Sequence, residues 1–309
     1  MKSERTILPP HQNRDRLITR LFQASDLAEV CRFIAGLNHQ PEHHIAYFGT
    51  KPDEIEYYLL EEQTVPPQES YVLAYLESCL AGVIGLEYDL ELLRAWIEGP
   101  LISYPDWERL AEILYSRIVD IIPEGINDYE LAADTRNKNL ERFAENHGYR
   151  SSGESALLVF KRFSLGNLPA VSESKVTSAF AGQFQNLHDK LFPGTYYNGK
   201  QLYEKIDETH QVFTASEAGR LQGYVFAYVA PEIGDAYIDF IGVEENDRRR
   251  GVGKRLLISA LHWIFTFNEV RQVGLSVNVE NIAAVNLYQS CGFYYERTLR
   301  GYRLKFPSA

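Results

Sequence analysis

The sequence predicts two α/β units in tandem, each with helices packed on a mixed sheet. Three observations lead there. The chain has 309 residues, more than one compact core usually holds. The order strand, two helices, three strands, helix, strand, helix, strand is read twice along it. Between the two readings, residues 164–174 carry Gly, Pro and Ser with little periodicity, which marks a linker. The expected domains are 1–165 and 172–309.

In the first half a strand is expected over 17–23, after a polar lead. Ser25 and Asp26 then cap a helix with Leu27, Val30, Cys31, Ile34 and Leu37 on one face. A helix over 52–62 follows, then strands over 71–75, 81–88 and 95–102. Leu110, Ile113, Leu114, Ile118 and Ile121 give residues 107–122 a helical period. A strand over 129–133, a helix over 138–146 and a strand over 156–160 complete this half.

The second half begins with a strand over 176–180 and helices over 181–191 and 199–206. Residues 211–217 and 221–229 form a hairpin about Ala218-Gly219. A central strand over 236–243, a long helix over 249–267, a strand over 272–277 and a helix over 282–290 come next. A pair of strands within 293–306, turning near Gly301, ends the chain. Hairpins combined with one strand-helix-strand crossover make each sheet mixed rather than all parallel.

Apolar residues at 45% and charged residues at 24% are those of an ordinary globular protein. A net charge of −11 argues against sequence-independent binding to nucleic acid or to an anionic membrane, and is compatible with a cationic substrate. Cys31, Cys79 and Cys291 are odd in number and widely spaced, so they read as small buried apolar residues and not as a disulfide framework or zinc site. His39, His43 and His44 surround Pro41, which interrupts any helix, so a surface loop is expected there and no metal site. Residues 1–20 show no apolar signal segment, and the longest apolar stretch, 256–267, is too short to span a bilayer. The expected location is the cytoplasm.

The chemistry concentrates in residues 237–257, YIDFIGVEENDRRRGVGKRLL. A β-branched and aromatic strand enters an acidic loop, and Arg248-Arg249-Arg250-Gly251-Val252-Gly253 then opens a helix. Gly251 and Gly253 let a ligand approach the backbone, the free N–H groups of the helix start point at it, and Lys254 adds charge. Such a cradle suits a pyrophosphate. A dinucleotide fingerprint would need glycine where Leu256 stands, and a P-loop would need glycine at Arg248 and Ser or Thr at Arg255. A basic helix start that only solvates itself is the alternative reading.

Residues 275–293, LSVNVENIAAVNLYQSCGF, narrow the choice. Together the two segments resemble motifs A and B of the GNAT superfamily of N-acetyltransferases. Arg248, Gly251 and Gly253 match the first motif; Asn281, Ala284, Leu287-Tyr288 and Gly292-Phe293 match the second. The resemblance implies two tandem GNAT-like acyl-CoA N-acyltransferase domains with acetyl-CoA as acyl donor, an amine acceptor and no metal. It implies that Ile241, Gly242 and Val243 lend backbone groups to the pantetheine arm, and that amides from Arg248 through Arg249, Arg250, Gly251, Val252 and Gly253 to Lys254 hold the pyrophosphate. Asn281 would bond the pantetheine or position the donor. Tyr288 would protonate the departing thiolate, its phenol being protonated at neutral pH. A backbone N–H of strand 241–243 would stabilise the oxyanion.

Asp239 is a candidate base for the ammonium proton; Tyr237, two residues earlier, shares its strand face by simple alternation and stands where family members often carry a base glutamate. Tyr196 and Tyr197 are expected to line the acceptor pocket. A non-catalytic acyl-CoA sensor or scaffold, or an acyltransferase using succinyl- or propionyl-CoA, are the alternatives. The acceptor and the oligomeric state stay open.

The first half retains part of the second motif. Asn137 and Gly148-Tyr149 keep the separation of Asn281 and Gly292-Phe293, with Ala144 at the place of Tyr288. Its counterpart of the first motif, residues 103–109, has no glycine, and Trp107 and Glu108 would block or repel a pyrophosphate. The expectation is a degenerate, non-catalytic domain.

Overall fold

The computed structural model describes residues 17–171 and 173–306; the rest of the expected polar lead lies outside the described residues. The chain forms two compact units, Met1–Ser151 with Gly301–Ala309, and Ser152–Arg300.

The first unit runs β1 (Leu17–Leu21), α1 (Leu27–Asn38), α2 (Pro52–Tyr57), α3 (Pro67–Ser70), β2 (Tyr71–Leu76), β3 (Cys79–Asp89), β4 (Arg94–Ile102), α4 (Trp107–Val119), β5 (Asp128–Asp134) and α5 (Lys138–Asn146). A π-helical turn, Tyr58–Glu62, extends α2. The strands lie in the order β1-β2-β3-β4-β5. All neighbours are antiparallel except β4 and β5, which α4 joins as a parallel pair. Cys79 is exposed, contrary to the expectation for the cysteines, because it opens β3 directly after a tight turn with Glu77 at φ 57°.

The second unit contains β6 (Arg150–Lys161) from Ser152 on, β7 (Ser174–Lys175), α6 (Ser178–Leu191), α7 (Gly199–Glu204), β8 (His210–Glu217), β9 (Arg220–Ala230), β10 (Asp235–Val243), α8 (Val252–Ile264), β11 (Gln272–Asn278), α9 (Ile282–Ser290) and β12 (Tyr294–Lys305) as far as Arg300. Its order is β6-β11-β10-β9-β8-β7, with β10 and β11 the parallel pair. Alternation along β9 sorts the core onto two faces. Tyr224 and Phe226 pack with Phe184, Leu187 and Leu202 of α6 and α7, whereas Val225 and Ala227 pack with Leu256, Leu257 and Leu261 of α8.

Four local expectations are corrected. The compact units do not divide at the 164–174 segment. Arg162 donates to the carbonyls of Val270, Phe265 and Phe267, Leu165 and Leu168 pack on the second unit's core, and Glu173 N–H bonds Ser259, so this stretch is docked rather than free. The ending is one continuous strand, not a hairpin at Gly301. Residues up to Arg300 belong to the second unit, while Tyr302 is buried in the first unit's core and Arg303 pairs with Asp128 there. The expected strand over 176–180 is only Ser174–Lys175, since Thr177 caps α6 and the helix takes Ser178 onward. Finally, α8 begins at Val252 rather than at 249, because Arg249 and Gly251 adopt left-handed backbone, φ 61° and 78°.

Candidate active site in the second unit

Strand β10 organises the site. Its parallel pairing with β11 reaches Tyr237 opposite Gly274, and β10 continues to Val243 with only β9 as a recorded partner. The edge of Ile241, Gly242 and Val243 turned away from β9 is therefore where a bound chain would find main-chain donors and acceptors. Pairing with β9 slips between Ile238 and Phe240, which makes Asp239 a bulge residue. Simple alternation fails across it. Ile238 packs with α8, whereas Phe240 packs with α6 and α7.

The Asp239 carboxylate accepts a hydrogen bond from the Tyr196 hydroxyl. Burial raises its pKa to about 6, with Tyr196 and the Lys205 charge pulling the other way. Tyr237, on the same strand, lays its ring over Gly274 of β11, and burial together with the Asp239 charge raises its pKa. Tyr288 is buried against Phe293, ring centroids 5.9 Å apart, and burial pushes its pKa up. Tyr288 is the buried residue of α9, two positions before the helix ends, with the half-buried Leu287 beside it.

Beyond β10 a 3-10 turn, Glu245–Asp247, leads to the helix start. Asp247 is buried and anchors the turn: Arg220 grips it at 2.6 and 3.0 Å, Gln222 donates at 3.3 Å and Arg250 lies at 3.7 Å. Arg248 Nε donates to Val243 O at 3.2 Å. Two of the three arginines thus brace the loop as well as charge it. Arg249 at φ 61° costs about 1–2 kcal/mol for a residue with a Cβ. Arg255 N–H donates to Gly251 O, so the amides of Val252, Gly253 and Lys254 stand before the helical ladder and remain available. A Cβ at Gly251 would meet only the Arg255 guanidinium, at 3.9 Å; one at Gly253 would press on Leu287 at 3.2 Å. The first glycine keeps the cradle open and the second lets α8 approach α9.

Asn281 caps α9, its Oδ1 accepting from Ala284 N–H at 3.1 Å, which leaves its amide NH2 as a donor. Tyr196 and Tyr197 pack edge-on, centroids 4.9 Å apart, and Tyr196 also touches Phe240. Their loop is held by His188, a residue whose structural part the sequence did not disclose. His188 is fully buried; one ring nitrogen lies 2.9 Å from Tyr197 O and the other 2.7 Å from the Tyr224 hydroxyl. A carbonyl only accepts, so Nε2 carries the proton and Nδ1 accepts from Tyr224. Burial lowers the pKa of this imidazole and keeps it neutral. The structure therefore brings Tyr196 to Asp239 on β10, with Tyr237 two residues earlier and the Gly251 turn beyond that strand's end, while Tyr288 packs on Phe293. Sequence reading missed Lys205, the bulge and the His188 tether.

Residues 179–293 match the model of the acetyltransferase (GNAT) family. They form a GNAT domain. No curated protein matches the sequence. Among solved structures, the whole chain is similar to a GCN5-related N-acetyltransferase from Sphaerobacter thermophilus, at TM-score 0.75 and 17% identity over 96% of this chain and 98% of that one. It is also similar to a tandem GNAT protein from the clavulanic acid biosynthesis pathway, at TM-score 0.66 and 14% identity over 95% and 100% of the two chains. A third likeness is to an acetyltransferase described as putative from Pyrococcus horikoshii, at TM-score 0.62 and 14% identity over 97% and 94%. These likenesses establish the fold across both units. The family match of residues 179–293 supports an N-acyltransferase and implies an acyl-CoA as group donor. Among the described residues no helix is long and apolar enough to cross a membrane, and no group of three or more His, Cys, Asp or Glu is placed to hold a metal ion.

Proposed function

We propose that the protein transfers an acetyl group from acetyl-CoA to a primary amine by direct attack on the thioester, with its chemistry confined to the GNAT domain. The observation that carries this reading is the Asp239 carboxylate, joined to the Tyr196 hydroxyl just past the point where β10 parts from β11, on the strand that leads to the open helix start at Gly251. Acetyl-CoA supplies the activated acyl group. The open turn at Gly251 fits its pyrophosphate, held by the free amides of Val252, Gly253 and Lys254 with the charges of Arg248, Arg249 and Arg250 around it; the Arg248 amide itself is taken by Glu245 O. Ile241, Gly242 and Val243 bond the pantetheine arm, with the Asn281 amide as a further donor, and a strand N–H takes up negative charge on the thioester oxygen. Asp239 removes the ammonium proton, oriented by the Tyr196 hydroxyl. Tyr288 gives its proton to the leaving thiolate; the raised pKa keeps the phenol protonated at working pH. Tyr196 and Tyr197 form the acceptor wall. The first unit is non-catalytic in this reading.

Calorimetric titration with acetyl-CoA tests the donor half. One equivalent should bind, and Gly251→Val should weaken binding by at least about tenfold, because it fills the cradle and strains a left-handed residue. Two equivalents would disprove the assignment of chemistry to one unit, and none would remove acetyl-CoA as donor. Tyr288→Phe should slow turnover about a hundredfold with donor affinity retained; unchanged turnover would take Tyr288 out of the mechanism.

A further inference from the structure

Lys205 lies just past α7, exposed, in a stretch rich in acids. Two of those acids, Glu204 and Asp207, have other partners. Glu204 pairs with Lys200 at 3.6 Å, and Asp207 binds His210 and Thr209. The Lys205 ammonium instead lies over the ring of Tyr197, 4.5 Å from its centroid. Tyr197 packs on Tyr196, and Tyr196 bonds Asp239. A cation and a carboxylate thus bracket two tyrosine rings on the acceptor side of β10. The field of Lys205 reaches Asp239, whose pKa it lowers against the larger effect of burial.

This arrangement is a charge pattern as well as a wall. The carboxylate end attracts an ammonium, and the aromatic faces accept either an alkyl chain or a cation. The lysine end repels a second positive charge and attracts an anion. A diamine would set one of its ammonium groups against Lys205, whereas an amino acid satisfies both ends. We propose that the acceptor is zwitterionic: its amine meets Asp239, and an anionic group, a carboxylate in the simplest case, meets Lys205. This deepens the proposed function and rests on reading Asp239 as the acceptor-side carboxylate.

The test compares glycine, β-alanine, γ-aminobutyrate and ε-aminocaproate with alkylamines and diamines of matched length, on the full chain with acetyl-CoA. At least one amino acid should exceed its matched alkylamine in kcat/KM by roughly tenfold to a hundredfold, the scale of one charge-assisted contact. Lys205→Met should bring that ratio close to one through KM, and Lys205→Glu should turn preference toward the diamine. Equal rates for matched pairs, or a Lys205→Met change that scales every acceptor alike, would overturn the proposal. Acceptor binding measured by calorimetry in the presence of CoA separates this failure from failure of the acetyl-transfer reading. Amino-acid binding that needs Lys205 supports the zwitterion even if no turnover is seen. Binding indifferent to Lys205 rejects it even if amines are acetylated.

Discussion

Glu98 in the first unit and Asp239 in the second occupy the same place on equivalent strands. Each lies two residues past the last recorded pair between parallel neighbours, Trp96 with Glu130 and Tyr237 with Gly274. Asp239 falls in a slip in pairing with the preceding strand and Glu98, paired with Gly85, borders one, and each accepts from tyrosine. Their surroundings differ. Glu98 is 1% exposed and takes both the Tyr58 and Tyr71 hydroxyls, with Tyr71 itself fully buried over Gly85. Asp239 is only half-buried and has one phenol, from the partly exposed Tyr196. Burial raises both pKa values, to about 7 for Glu98 and about 6 for Asp239. The comparison teaches that a raised carboxyl pKa at a matched position is not by itself a catalytic group. What differs is access: Glu98 is sealed, whereas Asp239 is reached from solvent on the strand that leads to the Gly251 turn.

The largest expected effect is at Asp239. Asp239→Asn should lower kcat/KM by roughly 10²–10⁴-fold. In the unmodified protein the base works when ionised, so activity should rise with pH through about 6, and the variant should lose that limb. A variant that keeps both rate and profile would break the contrast with Glu98.

Glu98→Gln should leave turnover unchanged and alter stability instead. The folded carboxyl holds its proton up to about pH 7, whereas the unfolded one releases it near its ordinary value of about 4.5. Between those values the folded state binds more protons, so stability falls as pH rises and levels off above about 7. Glu98→Gln should remove this fall, leaving the variant the more stable one at pH 8 by up to about 3 kcal/mol. Urea melts at pH 5 and 8 measure it; the same slope in both proteins would show that Glu98 is not its source.

The smallest effect sharpens the comparison at the helix caps. Asn137 and Asn281 both cap their helices, at 3.1 Å in each case. Gly148 and Gly292 both close those helices with left-handed φ, 77° and 99°, followed by buried Tyr149 and Phe293. Replacing either Asn by Ala should cost about 1 kcal/mol in a denaturant melt. Only Asn281→Ala should also weaken acetyl-CoA binding, and equal losses of affinity from both would refute a donor role confined to the second unit.

The sequence by itself determined much of the local pattern. Periods of 2 and 3.6 located most of the elements, and the helix expected over 282–290 is α9. These features depend on near neighbours in the chain, so spacing reveals them. Tertiary structure decided what depends on distant partners. Gly301 stays inside a strand because Tyr302 and Arg303 find their contacts in the first unit. The 164–174 segment is docked because Arg162 finds carbonyls about a hundred residues away. Asp239 leaves simple alternation because β9 and β10 pair with a bulge, and Lys205 lies over the ring of Tyr197, eight residues away across α7. Glu98 and Asp239 share a position along the fold; what packs over each carboxylate separates a sealed group from an accessible one.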